Sequence, residues 1–205
     1  MTSAAQDIQS AITVKGSADI VCDYLNYGIN SILFQRGLYP PENFKPDENY
    51  GVTLWMTTDN KIKEFLLKTL DQLRNWLVDK AVKKVVLVIA NVATLEVLER
   101  WDFNVEYEED TLTNPDKVSS KPIKQIRNEI REILKQISAS VSYLPLLDCL
   151  CSFDVQIYTK GDIDMPSEWN ETAPAVIQNA QSVKMRSFST NIHKMETIVT
   201  YKNDI

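Results

Sequence analysis

Glycine and histidine are scarce in this 205-residue chain, which contains five glycines and one histidine. No two glycines stand close enough to form the loops that cradle nucleotide phosphates, so nucleotide-binding enzymes of the usual kinds are excluded. A histidine-rich zinc site or a Ser-His-Asp triad would depend on His193 alone. We therefore predict no catalytic site, no cofactor and no metal site, and we expect His193 to be hydrogen-bonded or solvent-facing.

Cysteine and long apolar runs are also limited. Three cysteines cannot all pair; Cys149 and Cys151 are expected to lie buried on one strand face, and Cys22 lies in a helical apolar pattern. The Cys-x-Cys pair has no second ligand pair downstream, so we interpret both residues as core cysteines and not as metal ligands. Cysteines used in this way are typical of a reduced, intracellular protein. The apolar runs are too short to span a bilayer and the N-terminus lacks a signal-peptide pattern, so we expect a soluble protein without membrane insertion.

The charge balance is acidic, with a formal net charge of −6 and a sequence pI near 4.9. Broad binding to nucleic acid needs a dominant basic surface, so a protein partner is expected instead. Apolar residues make up 44% of the chain, which is enough for a real core, and no internal domain boundary is evident.

Apolar periodicity predicts three long helices. The first has an expected N-cap at Ser17, the second at Thr58 or Asp59, and the third begins at Pro122 and is expected to end at Pro145. Each carries an apolar stripe that would face a common core.

The strand signals lie between and after these helices. Residues 52–56 predict a short strand, 85–89 a strand buried on both faces, and 97–107 its hairpin partner. Residues 108–121 are polar and predict a mobile loop, whereas apolar residues alternate from 147 to 157 as in a half-buried strand. The fold class is therefore α+β, with helices packed on a mainly antiparallel sheet.

The longest stretch without helical or strand periodicity is 161–182, which contains two prolines. Loops of that length are uncommon in compact domains unless they are functional or disordered. The segment after it, 183–201, alternates with a shift near Ser187, so its register is weakly specified. A C-terminal flap that pairs in more than one place would explain both features; a static surface loop leading to a terminal hairpin is the alternative. Asp162 and Asp164 in the loop are expected to be solvated carboxylates.

A basic ridge runs along the outer side of the third predicted helix. Lys124, Arg127, Arg131 and Lys135 recur at spacings of three and four residues in an otherwise acidic chain. The ridge is either solvated and paired with the neighbouring glutamates or a docking surface for an acidic patch.

Ten short blocks follow one another over nearly the whole chain: GSADIV (16–21), YGINSIL (27–33), QRG (35–37), YP (39–40), LERW (98–101), YLPLL (143–147), CSFD (151–154), IYT (157–159), RSF (186–188) and IHK (192–194). In this order they resemble the spindle-checkpoint branch of the HORMA-domain family. The first ten residues, 108–121 and the last few residues match poorly.

The resemblance implies one HORMA domain over residues 1–205, with a core of about 11–160 and a C-terminal safety belt with its strands at about 161–205. In that family the belt is mobile: it crosses the sheet to trap a short peptide in a closed state, lies elsewhere in an open state, and performs no catalysis. The residues that it implies for peptide binding are Phe153, Asp154, Val155, Gln156, Ile157, Tyr158, Trp169, Phe188, Ile192 and His193.

The resemblance also implies a role and partners. The role is that of a spindle assembly checkpoint adaptor that inhibits anaphase onset at the kinetochore, nuclear envelope, nucleus and cytoplasm. The partners are a coiled-coil kinetochore scaffold, the activator of the anaphase-promoting complex, other checkpoint-complex proteins, a conformational homodimer, and a HORMA-remodelling ATPase with its adaptor. The alternative is a constitutive HORMA subunit of a DNA-repair or meiotic chromosome complex.

A second surface follows from the same resemblance, on and after the third helix. Its residues in this chain are Arg131, Lys135, Gln136, Ser142 and Tyr143, which would form the dimer and regulator interface. Lys135 and Tyr143 replace the usual Arg and Phe, and lysine lacks the bidentate fork of arginine.

Overall fold

A computed structural model describes residues 11–114, 116–161 and 163–203 of the protein. Two predicted features lie outside these residues: Pro115, which belongs to the expected mobile loop, and Asp162, which is expected to be a solvated carboxylate. The helices are α1 (Val14–Gln35), α2 (Asn60–Val78), α3 (Glu109–Thr113) and α4 (Ile123–Ala139). The strands are β1 (Phe44–Asn49), β2 (Val52–Thr57), β3 (Val82–Asn91), β4 (Val97–Tyr107), β5 (Cys151–Thr159), β6 (Ala180–Ser189) and β7 (His193–Lys202).

Helix α1 begins earlier than predicted. Its N-cap is Thr13, whose hydroxyl accepts a hydrogen bond from the Gly16 amide at 3.1 Å, and the prediction of Ser17 as N-cap is wrong. Ser17 is fully buried one turn inside the helix, where its hydroxyl bonds to distant side chains instead. A local cap signal does not reveal such long-range partners.

The other two long helices begin where the sequence predicts. Asp59 caps α2 by accepting from the amides of Lys61 and Ile62, and α4 starts directly after Pro122. Helix α4 ends well before Pro145, however, and continues as a 3-10 turn over Ser140–Ser142. The Ser140 hydroxyl donates to the Ile137 carbonyl at 2.6 Å, which satisfies an acceptor of the last turn.

The main sheet is antiparallel and has the strand order β5-β3-β4-β7-β6, which confirms the α+β fold with a mainly antiparallel sheet. Strands β3 and β4 form the predicted hairpin, and residues 85–89 are all buried. Strand β2 pairs with β1 in a separate two-stranded sheet. Sequence analysis missed β1 because Pro46 and its polar neighbours are atypical of a strand.

Strand β5 begins at Cys151, so the prediction that the alternation marks strand from residue 147 is wrong for its first four residues. Cys149 lies in a bend, and neither Cys149 nor Cys151 is buried as expected. Residues 108–121 also differ from the expected loop. They contain α3 and an isolated bridge between Ile12 and Ser119, and Thr111 is fully buried, with its carbonyl accepting from Lys80.

Helices α1, α2 and α4 cover one face of the main sheet and build the principal core around Trp101, Phe103 and Tyr24. The opposite face carries a small second cluster formed by Val86, Val88 and Ala175. Within the described ranges, no helix is long and apolar enough to cross a membrane.

Candidate functional site

Strand β5 lies at one edge of the main sheet. It pairs with β3 on one side, in a register that places Val155 opposite Leu87 and Ile157 opposite Val85. Its other side has no strand partner among the described residues. An open edge of this kind presents backbone donors and acceptors that an additional strand can use.

The segment 160–179, described except for residue 162, wraps around this open edge and is called the belt segment below. Ile163 and Trp169 pack against the core on the helical face of the sheet. Ala175, a few residues later, packs against Val86 and Val88 on the opposite face, where only 7% of its surface is exposed. The belt segment therefore crosses the free edge of β5 between residues 169 and 175.

Three contacts fasten the belt segment to the domain. The Trp169 ring packs edge-on against Trp76 of α2, with ring centroids 5.2 Å apart. The Arg100 guanidinium donates to the Ala175 carbonyl at 2.6 Å, and Asp102 holds that guanidinium at 2.7 Å. The Gln156 side chain donates to the Ala173 carbonyl at 3.4 Å. Aromatic packing thus holds one side of the crossing and hydrogen bonds hold the other.

Between β5, α2 and the belt segment is a groove of about 910 Å³. Phe65 and Trp76 on α2 form one wall, the β5 edge from Asp154 to Thr159 forms the other, and Met165 and Trp169 of the belt segment close over it. Aromatic walls beside an open strand edge suit an extended peptide, because the backbone pairs with the edge while alternate side chains enter the pockets.

The structure brings most of the predicted peptide-contacting residues together. Asp154, Val155, Gln156, Ile157, Tyr158 and Trp169 line the groove. Phe153 lies at its end, between the rings of Tyr39 and Phe65 at centroid distances of 6.1 and 5.7 Å. Sequence analysis missed Phe65 and Trp76 as groove residues because both belong to the apolar stripe of α2, which predicts only a core face.

Phe188, Ile192 and His193 are not brought to the groove. All three are buried, with exposed fractions of at most 1%. Phe188 packs edge-on against Tyr24, with centroids 5.0 Å apart. Because β7 pairs with β4, the strands β3 and β4 separate these residues from β5. Their surroundings are those of core residues that hold the C-terminal hairpin β6–β7.

His193 is the most polar part of that anchorage. Its Nδ1 lies 2.6 Å from the Ser17 hydroxyl and its Nε2 lies 3.3 Å from the Leu77 carbonyl. Burial lowers the pKa of His193 to about 4, against a smaller opposing effect of the Leu77 hydrogen bond. The imidazole is therefore neutral at physiological pH and has no solvent access for acid-base chemistry.

The second predicted surface lies on and after α4. Lys135, Ser142 and Tyr143 are exposed, whereas Gln136 accepts a hydrogen bond from the Arg186 amide at 2.8 Å. Arg131 and Lys135 both lie within ion-pairing distance of Glu132, and Lys135 is the main cause of the lowered pKa of that carboxyl. The ridge is thus partly neutralised within α4, and it is still exposed.

Across the described part of the chain, no three His, Cys, Asp or Glu side chains cluster closely enough to hold a metal ion. The groove walls carry aromatic, aliphatic and amide groups with exposed charges at the rim. This composition suits binding by surface complementarity.

Comparison with known proteins agrees with this architecture. The model of the HORMA domain matches residues 17–193. The chain is 47% identical over 199 residues to the mitotic spindle assembly checkpoint protein MAD2A of Dictyostelium discoideum, covering 97% of each chain. It is 44% identical over 194 residues to the protein of the same name from Homo sapiens, covering 95% of this chain and 94% of that one.

Solved structures show the same fold. A chain in the crystal structure of the mitotic checkpoint complex matches with a TM-score of 0.82 and 37% identity, covering 92% of this chain and 99% of that chain. C. elegans HTP-2 bound to the HIM-3 closure motif matches with a TM-score of 0.74 at 12% identity, covering 93% and 92%, which is a likeness of fold alone. The family model and the relatives each span most of the sequence, so this chain belongs to the HORMA-domain family.

Proposed function

We propose that this protein is a spindle assembly checkpoint adaptor that binds a short extended peptide along β5 and encloses it beneath the belt segment. The open edge of β5, enclosed by a crossing segment, is the observation that carries the proposal. The names of the relatives, and the membership of one structural neighbour in the mitotic checkpoint complex, supply the process. The likeness in fold to HTP-2 gives no comparable support for a constitutive meiotic subunit.

The geometry explains how such a peptide is held. Strand addition at β5 supplies main-chain hydrogen bonds, and the pockets beside Phe65 and Trp76 select the alternate side chains. Escape then requires the belt segment to release the Trp76–Trp169 contact or the Arg100–Ala175 hydrogen bond. Because that opening is a local unfolding, dissociation is slow compared with that from an uncovered groove.

The finer parts of the proposal concern partners and location. The peptides are segments of a coiled-coil kinetochore scaffold and of the activator of the anaphase-promoting complex, and the role is inhibitory binding without catalysis. The exposed ridge of α4 serves the homodimer and other checkpoint regulators, and a HORMA-remodelling ATPase with its adaptor releases the belt. The expected locations are kinetochores, nucleus, nuclear envelope and cytoplasm.

Capture from mitotic and interphase extracts, with the full chain as bait, tests the identity of the partners. The proposal expects the anaphase activator and a kinetochore scaffold in the mitotic sample, and overlapping synthetic peptides of each would locate the bound segment. Recovery of neither protein would contradict the checkpoint assignment.

The peptide defined in that way tests the belt. Trp169→Ala removes the aromatic contact to Trp76, so the dissociation rate should rise about tenfold, corresponding to about 1.4 kcal/mol, while the association rate changes little. Val176→Ala is the matched control, because Val176 lies in the same segment but is 70% exposed. Equal dissociation rates for the two variants, measured by stopped-flow fluorescence, would show that the belt does not retain the peptide.

A further inference from the structure

Two thiols touch at the entrance to strand β5. The Sγ atoms of Cys149 and Cys151 lie 3.7 Å apart, and both cysteines are free and partly exposed. Cys22, in contrast, is buried in the core beneath α2. We propose that Cys149 and Cys151 are a reversible oxidation site that closes to an intramolecular disulfide on reaction with a low-molecular-weight disulfide such as oxidised glutathione.

The local backbone creates this proximity. In an extended strand, residues two apart point the same way, and the bend at Cys149 brings its side chain back toward Cys151. The Cys151 thiol also donates to the Cys149 carbonyl at 3.4 Å. A disulfide needs a sulfur separation of about 2.05 Å, so rotation about χ1 and a small backbone adjustment must bring the sulfurs about 1.7 Å closer.

The reaction is a pair of thiol-disulfide exchanges. The Cys149 thiolate attacks one sulfur of oxidised glutathione, forming a mixed disulfide and releasing one reduced glutathione, which takes up the proton that Cys149 lost. The Cys151 thiolate then attacks the Cys149 sulfur and releases the second reduced glutathione. Two electrons and two protons pass from the protein to glutathione, and no other reactant is required.

The order of attack follows from the surroundings of Cys151. Burial, and next the neighbouring Cys149 thiol, raise the pKa of Cys151 to about 11, so Cys151 is the poorer first nucleophile. Once Cys149 carries glutathione it can no longer ionise, and its opposition to ionisation of Cys151 ends. Leu150 between them is 75% exposed, which leaves the pair accessible to a small disulfide such as oxidised glutathione.

Closing the bridge has a structural consequence. The Leu150 carbonyl accepts a hydrogen bond from the Val92 amide at 2.9 Å, next to the pairing of Cys151 with Asn91. A disulfide between residues two apart forms a small ring that turns the Leu150 peptide unit away from its present orientation. Oxidation therefore loosens the end of the β3–β5 ladder, two residues before Phe153, which lies at the end of the groove.

Thiol counting on the full-length protein tests the proposal. The protein is equilibrated in glutathione buffers of graded ratio, quenched with acid, alkylated under denaturing conditions and digested with trypsin. Peptide 136–160 contains Cys149 and Cys151 and no other cysteine, while Cys22 falls in peptide 16–36. We expect peptide 136–160 to change from two alkyl groups to none, with the loss of two hydrogens, while peptide 16–36 keeps its one.

Two variants and one further measurement complete the test. Cys22→Ser should close as the wild type does, whereas Cys149→Ser should not form the bridge. Amide hydrogen exchange at Val92 should be at least tenfold faster in the oxidised wild type, and equal in both buffers for Cys149→Ser. Two alkyl groups retained in the most oxidising buffer, a stable glutathione adduct or disulfide-linked dimers would overturn the site. A closed bridge with unchanged exchange at Val92 would overturn the coupling to the ladder.

Discussion

The single histidine joins three elements through one buried ring. His193 on β7 accepts from the Ser17 hydroxyl of α1, donates to the Leu77 carbonyl of α2, and stacks edge-on with Tyr107 at 5.1 Å. In the neutral form the Nε2–H donates to Leu77 while Nδ1 accepts from Ser17, and the charged form is disfavoured because the buried ring is removed from water. The buried ring therefore resists protonation and couples the C-terminal hairpin to pH.

We predict that the folded protein loses stability as the pH falls below about 6.5. The unfolded His193 has an ordinary pKa near 6.5, whereas burial lowers the folded pKa to about 4, so the unfolded state binds more protons between these values. The free energy of unfolding should fall by about 2 kcal/mol between pH 7 and pH 5 from this group.

Urea denaturation at both pH values measures that loss, and His193→Gln is the control because the chain has no other histidine. The wild type should lose about 2 kcal/mol more than the variant over the same interval. Identical pH dependence in the two proteins would show that His193 does not titrate as its burial requires.

Local signals were sufficient where a residue acts on its own helix. Thr58 or Asp59 was predicted as the cap of α2, and Asp59 fills that role because its carboxylate accepts from amides two and three residues away. The prediction of Ser17 as a cap is wrong, whereas His193 is hydrogen-bonded as one of its two expected states, and the partner that explains both outcomes lies 176 residues away in sequence. Neither a cap pattern nor a family position reveals such a pair, since only the folded sheet brings the two side chains together.

Helix α4 and strand β6 meet at an irregularity of the sheet. The pairing of β6 with β7 shifts between Lys184 and Ser187, which leaves the Arg186 amide out of the regular ladder. Gln136 of α4 accepts from that amide at 2.8 Å. The register shift near Ser187 seen in the sequence is thus a bulge that a helix side chain satisfies.

Removing this acceptor should weaken the C-terminal hairpin. We expect Gln136→Leu to lower the free energy of unfolding by about 1 kcal/mol and to speed hydrogen exchange at the Arg186 amide. Gln136→Glu is the matched control, because it keeps an acceptor of similar reach. If the two variants exchange equally fast at Arg186, the side chain does not support the bulge.

Because Gln136 has this structural role, tests of self-association should change Lys135 instead, as in Lys135→Glu. Lys135 is exposed, and its hydrogen bond is to Glu132 of the same helix.

Elements were easier to predict than their order in space. Strands β3 and β4 followed from an apolar run and an alternating run joined by a short turn. The insertion of β7 between β4 and β6 could not be predicted from periodicity, because a strand with weakly specified register fits several edges. The groove was located only in part for the same reason. The alternation predicted strand β5, and only the family resemblance implied that it lines the groove, whereas Phe65 and Trp76 became groove residues through the path of the belt segment.

The two ends of the main sheet have different freedom. At one edge of the sheet, β5 has no second strand partner among the described residues and is covered by the belt segment. At the other edge, the hairpin β6–β7 is anchored by the pairing of β7 with β4. The hydroxyl groups of Tyr24 on α1 and Thr197 on β7 share a hydrogen bond of 2.6 Å, and the Tyr24 ring packs on Phe188. Moving the hairpin to another edge means breaking the β4–β7 ladder and these buried contacts first. Such a rearrangement is a partial unfolding, which is slow compared with loop motion.

We therefore expect the free protein to exist as two slowly exchanging monomeric species, one with the hairpin as seen here and one with it displaced. Ion-exchange chromatography of the Lys135→Glu variant, chosen so that dimers do not complicate the trace, should give two peaks that a saturating groove peptide merges into one.

Tyr24→Phe removes the Thr197 hydrogen bond and should shift the peak ratio toward the displaced species about fivefold, corresponding to about 1 kcal/mol. Tyr27→Phe is the matched control, because Tyr27 bonds to Asp47 of β1 and not to the hairpin. A single peak that neither peptide nor Tyr24→Phe alters after long incubation would contradict the two-species account and favour a static C-terminal hairpin.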